Sequence, residues 1–136
     1  MRNAVLRASV NRIVLDASVI LAVLGREHGS EVISRYLGNT AVSTVNLAEV
    51  QGKLMTRGVP EEEAWEGALS LAAEIVDFNS EQARLAGTLL PQTQHLGLSL
   101  GDRACLALGI LLKAPVYTTD RAWKNLKLGI KVHLIR

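Results

Sequence analysis

Four acidic residues stand at places where the chain passes from apolar to polar: Asp16 in "VLDAS", Glu49 in "STVNLAEV", Asp102 in "LSLGDRACLAL" and Asp120 in "VYTTDRAW". Each has a purely structural account. Asp16 and Asp120 can cap the helices that follow them, and Asp102 can favour the positive end of its own helix. Glu49 can be a solvated residue beside the apolar stripe Leu47, Val50 and Leu54. Together they suggest chemistry instead. Several carboxylates in a small volume repel one another, and the arrangement is tolerable only if protons or a cation neutralise them. A hard divalent cation such as Mg2+ or Mn2+ takes oxygen ligands, keeps several waters and works with substrate phosphates. The chemistry implied is metal-assisted attack of water on a phosphodiester.

The acids can converge only if the chain folds so as to bring them to one edge. Short apolar runs alternate with longer helical patterns, which predicts an α/β fold with a mostly parallel sheet of about five strands flanked by helices. The strands are "RIVLD" (12–16), "TAVST" (40–44), "EIVDF" (74–78), "PVYTT" (115–119) and "KVHLI" (131–135), and helices are expected over 18–24, 30–37, 45–57, 61–73, 80–90, 100–112 and 121–126. Gly58 with Pro60 separates two helices, three glutamates open the second, and Pro91 is expected to stop the helix over 80–90. In such a sheet, ligands bind at the carboxyl ends of the strands. Asp16 and Asp120 end two strands, and Asp102 and Glu49 lie early in helices that start at the same edge. Beyond Arg103 the helix to Leu112 carries no polar side chain, so it should be buried nearly all round, with the Asp102 carboxylate at the mouth of the core. Ser99 and Asp102 have the spacing of a capping box.

Composition excludes several alternatives. With 136 residues and 49% apolar content, the chain fits one domain with a real core. No apolar stretch approaches the roughly 20 residues of a membrane span, and the lone Cys105 sits in an apolar helix as a thiol of a reducing compartment would, so the cytoplasm is the expected location. His28, His95, His133 and Cys105 lack metal-ligand spacing, which disfavours zinc, and no Gly-rich phosphate loop is present. A net charge of +2 names no partner, although Arg121, Lys124, Lys127, Lys131 and Arg136 crowd the end and would suit a phosphate-bearing ligand.

The four motifs, in their order and spacing over about 12–136, resemble a PIN-domain ribonuclease, and most closely a VapC-type toxin of a bacterial toxin–antitoxin pair. The resemblance implies a PIN-like nuclease domain over 13–136, with 1–12 a short N-terminal extension lacking a family counterpart. It implies a metal-dependent endoribonuclease acting on structured RNA such as transfer or ribosomal RNA, a homodimer, and a cognate antitoxin that blocks the site. By position, Asp16, Glu49, Asp102 and Asp120 are the metal-site acids, and Ser18 with Thr118 or Thr119 match hydroxyls that donate to the carboxylates or to water. Arg103 is open between a phosphate or partner contact and an ion pair with a neighbouring acid. Trp65 and Trp123 are expected in the core or a dimer contact rather than as stacking platforms.

Two other classes share parts of this pattern. A phospho-acceptor signalling domain needs an acid pair near the first strand, an acceptor aspartate after the third and a lysine after the fifth; here those strands end "VDFNS" and "HLIR". A haloacid-dehalogenase-type phosphatase needs an acid two residues after Asp16, where Ser18 stands. A PIN nuclease of RNA processing would have the same site and a different partner.

Overall fold

The computed structural model describes residues 12–136; the expected extension over 1–12 lies, apart from Arg12, outside them. Five strands form one sheet: β1 (Ile13–Leu15), β2 (Thr40–Ser43), β3 (Glu74–Val76), β4 (Val116–Thr118) and β5 (Val132–Leu134), in the order β3-β2-β1-β4-β5 with every neighbouring pair parallel. The α-helices are α1 (Ala17–Leu24), α2 (Thr44–Thr56), α3 (Glu61–Leu69), α4 (Ser80–Thr88), α5 (Leu90–Thr93) and α6 (Leu100–Leu112). All residues of β1, β2 and β4 are buried, the signature of strands covered on both faces, while β3 and β5 at the edges are partly open.

Alternation along the strands divides the core into two layers. Ile13, Leu15 and Val42 face α1 and α2, with Ile33 and Ala68 completing that side; Val14, Ala41 and Val116 face α6, with Ala86 and Trp123 beyond. Helix α6 is buried continuously from Ala104 to Gly109. A Cβ at Gly109 would come within 2.4 Å of Val116 Cγ2, so the missing side chain is what lets α6 lie directly on β4.

The chain moves outward from β1 to β2 and β3, then crosses back past β1 to β4. The winding direction therefore reverses between β1 and β4, and the crevice at their carboxyl ends is where such sheets bind ligands.

Several elements depart from the sequence-based expectation. The helix expected over 61–73 ends at Leu69, and the segments over 30–37 and 121–126 are tight 3-10 turns at Ser30–Tyr36 and Arg121–Trp123, the form short connectors favour. Pro91 does not stop the helix over 80–90. That helix ends at Thr88, and Pro91 sits in the first turn of α5, where a missing N–H costs nothing.

Candidate active site

The ends of β1 and β4 build the deep half of the site. Their register pairs Val14 with Val116 and Leu15 with Tyr117, and Asp16 N–H continues it by donating to the Tyr117 carbonyl at 3.0 Å. Asp16 is only 4% exposed. It occupies the N-cap position of α1 but makes no capping hydrogen bond with its side chain, so the capping account of this residue fails. Its Oδ2 instead accepts from Ser18 Oγ at 2.6 Å and from Thr118 Oγ1 at 2.9 Å. Each hydroxyl is held in turn: Ser18 Oγ accepts from Thr119 N–H, and Thr118 Oγ1 from Asp120 N–H, both at 3.1 Å. Thr118 is thus the threonine whose hydroxyl meets Asp16, and Thr119 takes part through its backbone. Asp120, exposed, caps the turn after β4 by accepting from Ala122 N–H on Oδ1 at 2.9 Å.

The helices build the outer half. Ser99 and Asp102 form a reciprocal capping box: Ser99 Oγ accepts from Asp102 N–H at 3.1 Å, and Asp102 Oδ2 from Ser99 N–H at 2.8 Å. On α2, Asn46 Nδ2 donates to Glu49 Oε1 at 2.7 Å and also to the Gly101 carbonyl at 3.0 Å. Glu49 is exposed as a residue, yet its carboxylate lies against the backbone of Gly101, where a Cβ would come within 2.4 Å of its Cδ and both oxygens. Asn46 and Gly101 are absent from the set of residues that the motifs suggest. Asn46 lies three residues before Glu49, on the same helix face. Gly101 is a helix-weakening residue placed next to an acid.

One field joins the four acids. Burial, opposed by the Ser18 and Thr118 hydrogen bonds and aided by the charges of Asp102 and Glu49, pushes the Asp16 carboxyl up to about 6. Glu49 is raised by desolvation and by Asp102, against the Asn46 hydrogen bond; Asp102 is raised by desolvation and by Asp120, against its Ser99 hydrogen bonds. Asp102 is the hub, coupled to each of the others. The thiol of buried Cys105 is pushed up by desolvation and by Asp16, Asp102 and Glu49. Every carboxylate spends one oxygen on the fold: Asp16 Oδ2, Glu49 Oε1, Asp102 Oδ2 and Asp120 Oδ1. The other oxygen of each makes no hydrogen bond among the described residues. The structural and chemical accounts of Asp102 and Asp120 are therefore compatible. Among the described residues, no group of three or more Asp, Glu, His or Cys side chains is gathered so as to hold a metal ion as it stands.

Arg103 forms no ion pair with an acid among the described residues. Its Nη1 donates to the Ala86 carbonyl at 2.9 Å, tying α6 to α4, while its charge lowers the Asp102 pKa. Trp123 is fully buried, and Trp65 lies on α3 with 43% exposure, outside the core. A phospho-acceptor site would need an acid after the third strand beside the first; β2 stands between β3 and β1, which leaves Asp77 away from Asp16.

A parallel sheet with carboxylates at its switch point, supported by strand-end hydroxyls, defines a class of α/β proteins with an acidic crevice. The chain belongs to the PIN-domain family, whose model matches residues 13–128. Among solved structures, it is similar to a toxin–antitoxin complex from Klebsiella pneumoniae (17% identity, TM-score 0.71, covering 91% of this chain and 98% of that one). It is similar as well to DNA-bound VapBC from Salmonella typhimurium (18%, TM-score 0.71, 92% and 98%). A third similar structure is VapBC2 from Rickettsia felis bound to a fragment of its promoter DNA (18%, TM-score 0.67, 88% and 96%). At these identities the likeness establishes the fold. No curated protein sequence matches significantly.

Proposed function

We propose that this PIN domain, spanning 13–136, is a Mg2+- or Mn2+-dependent endoribonuclease, the toxin of a toxin–antitoxin pair. The observation that carries the reading is the division of labour within each carboxylate: one oxygen of Asp16, Glu49, Asp102 and Asp120 is fixed by the fold, the other makes no hydrogen bond among the described residues, and the charge of Asp102 acts on or is acted on by each of the other three. The donor set is all hard oxygen, which suits Mg2+ or Mn2+ and not zinc. Because Mg2+ keeps several waters and needs only one or two carboxylates, a loose ring of acids around Asp102 suits it better than a tight cage. When bound, such an ion supplies the positive charge that brings a phosphodiester to an acidic crevice and eases deprotonation of the attacking water.

The chain's own part is orientation. Ser18 and Thr118 fix one edge of the Asp16 carboxylate, so its free oxygen has a single direction before substrate arrives. Asp120 and Asp102 are held by their own helix starts, and Glu49 by Asn46.

RNA is the substrate the surroundings favour: from Arg121 to Arg136 the chain has five cations and no acid, beginning directly after Asp120. Exposed Leu24, Leu37, Met55 and Trp65 supply apolar surface that a second copy or an antitoxin would cover, and the structural neighbours are themselves toxin–antitoxin complexes. No helix among the described residues is long and apolar enough to cross a membrane, in keeping with action in the cytoplasm. The test is cleavage of structured RNA by the purified chain with Mg2+ or Mn2+ against exhaustive chelation. Cleavage should vanish with chelator and return with either ion without zinc; full activity in chelator would overturn the proposal.

A further inference from the structure

The buried amide of Asn46 bridges two elements of the site without being one of its acids. Its side chain is wholly buried, and both hydrogens of its single Nδ2 are used, on Glu49 Oε1 at 2.7 Å and on the Gly101 carbonyl at 3.0 Å. Both partners are acceptors, so the amide can face them only with its nitrogen. Its Oδ1 is buried and has no hydrogen-bond partner among the described residues. A residue serving only to fill this space would not need an unpartnered buried acceptor, which is costly. What Asn46 supplies is the other end of the amide: it fastens Glu49 to the residue immediately before Asp102.

Gly101 makes that fastening possible. The Glu49 carboxylate lies where a Cβ of residue 101 would be, 2.4 Å from its Cδ and both oxygens. The backbone of Gly101 forms the floor beneath the carboxylate, and Asn46 holds one of its oxygens from the side. Glu49 is thereby tied to the residue that precedes Asp102, although the two acids belong to different helices.

We infer that Asn46 is a positioning residue for divalent-cation binding, acting through Glu49, and that Gly101 is its steric counterpart. This rests on the metal-dependent reading above and names the pair of groups that sets the placement of Glu49. A partner that orients a ligating carboxylate typically accounts for 10- to 100-fold in metal affinity.

Mn2+ uptake by the RNA-free protein, read by the paramagnetic resonance of free Mn2+, tests this apart from catalysis. Asn46→Leu should weaken binding by about tenfold or more while the melt in chelator shows a protein as stable as wild type or more so. In a Glu49→Gln background the same substitution should change Mn2+ affinity by less than about twofold, because its route is already cut. Gly101→Ala leaves Asn46 in place and evicts the carboxylate from the other side; it should reproduce the loss, and it serves if Asn46→Leu fails to fold. Wild-type affinity in either single variant, or an undiminished Asn46→Leu effect in the Glu49→Gln background, overturns the positioning role. A wild-type protein that takes up no Mn2+ overturns the metal-dependent reading and this inference with it, an outcome distinct from normal wild-type uptake with unaffected variants.

Discussion

At the ends of β1 and β4, Asp16 is 4% exposed and takes two hydroxyl hydrogen bonds on one oxygen, whereas on α2 and α6 Glu49 and Asp102 are each held by N–H donors and reach solvent. The strand half is fixed by register: the pairing of Leu15 with Tyr117 carries on to bring Asp16 beside Thr118, whose hydroxyl donates to it. The helix half is fixed by side chains, which can move one at a time. Fixity has a cost. Desolvation is the largest influence on Asp16, and its two hydrogen bonds do not cancel it, since the carboxyl still rises to about 6. Electrostatic strain therefore sits on buried Asp16 at the end of β1 and, in the helix half, on Glu49 and Asp102, which keep contact with solvent.

The substitution that strains this comparison most is Asp16→Asn, which keeps the shape and removes the buried charge. The folded-state pKa of Asp16 lies above its ordinary value of 3.8, so its contribution to stability is fully present below about that pH and is lost as pH rises through about 6. A displacement of that size corresponds to about 3 kcal/mol at neutral pH. Glu49 and Asp102 are shifted in the same direction and add to the trend. In chelator, the wild-type protein should therefore become less stable between about pH 4 and 7. Asp16→Asn should flatten that slope and melt higher at pH 7, while RNA cleavage falls by orders of magnitude. A variant that melts lower at pH 7 would mean the strand half holds no such strain.

Asp102→Asn probes the helix half and should be milder. Asparagine can still accept from Ser99 N–H, so the capping box survives in its geometry while a charge leaves a self-repelling group. In chelator at pH 7, the melt should correspond to unchanged stability or a gain on the order of 1 kcal/mol or less, again with cleavage reduced by orders of magnitude. Loss of stability with full activity would make Asp102 a helix-start residue alone.

The strand half was readable because strands advertise themselves: "IVLD" and "VYTTD" are apolar runs ended by acids, and parallel pairing then forces those acids to one edge. Which threonine hydroxyl meets Asp16 was not readable, because alternate residues point to opposite faces and the register decides between Thr118 and Thr119. On the helix side, Asp102 and its capping partner Ser99 were visible as a local motif. The Asn46–Glu49–Gly101 contact was not, since it joins residues 55 apart whose meeting depends on how α2 and α6 approach. The 3-10 turns at Ser30–Tyr36 and Arg121–Trp123 escaped for a related reason: three- and four-residue periods differ too little over two turns to be told apart.

The smallest expected effect asks which half faces the substrate. Arg121, Lys124 and Lys127 follow Asp120, and Lys124 and Lys127 are exposed and without an ion-pair partner among the described residues. Arg136, by contrast, is held by Glu27 at 2.6 Å. If RNA phosphates lie along this segment, Lys124→Ala with Lys127→Ala should raise the KM for RNA severalfold and lower the slope of log KM against log salt by about one per lysine. Neither lysine is placed near the carboxylates by any contact, so Mn2+ uptake should be unchanged, as should kcat. An unaltered salt slope would place the RNA elsewhere and leave these lysines as ordinary surface charge. A change in Mn2+ affinity would instead tie the segment after Asp120 into the acid field itself, and the outer half of the site would then extend beyond its helices.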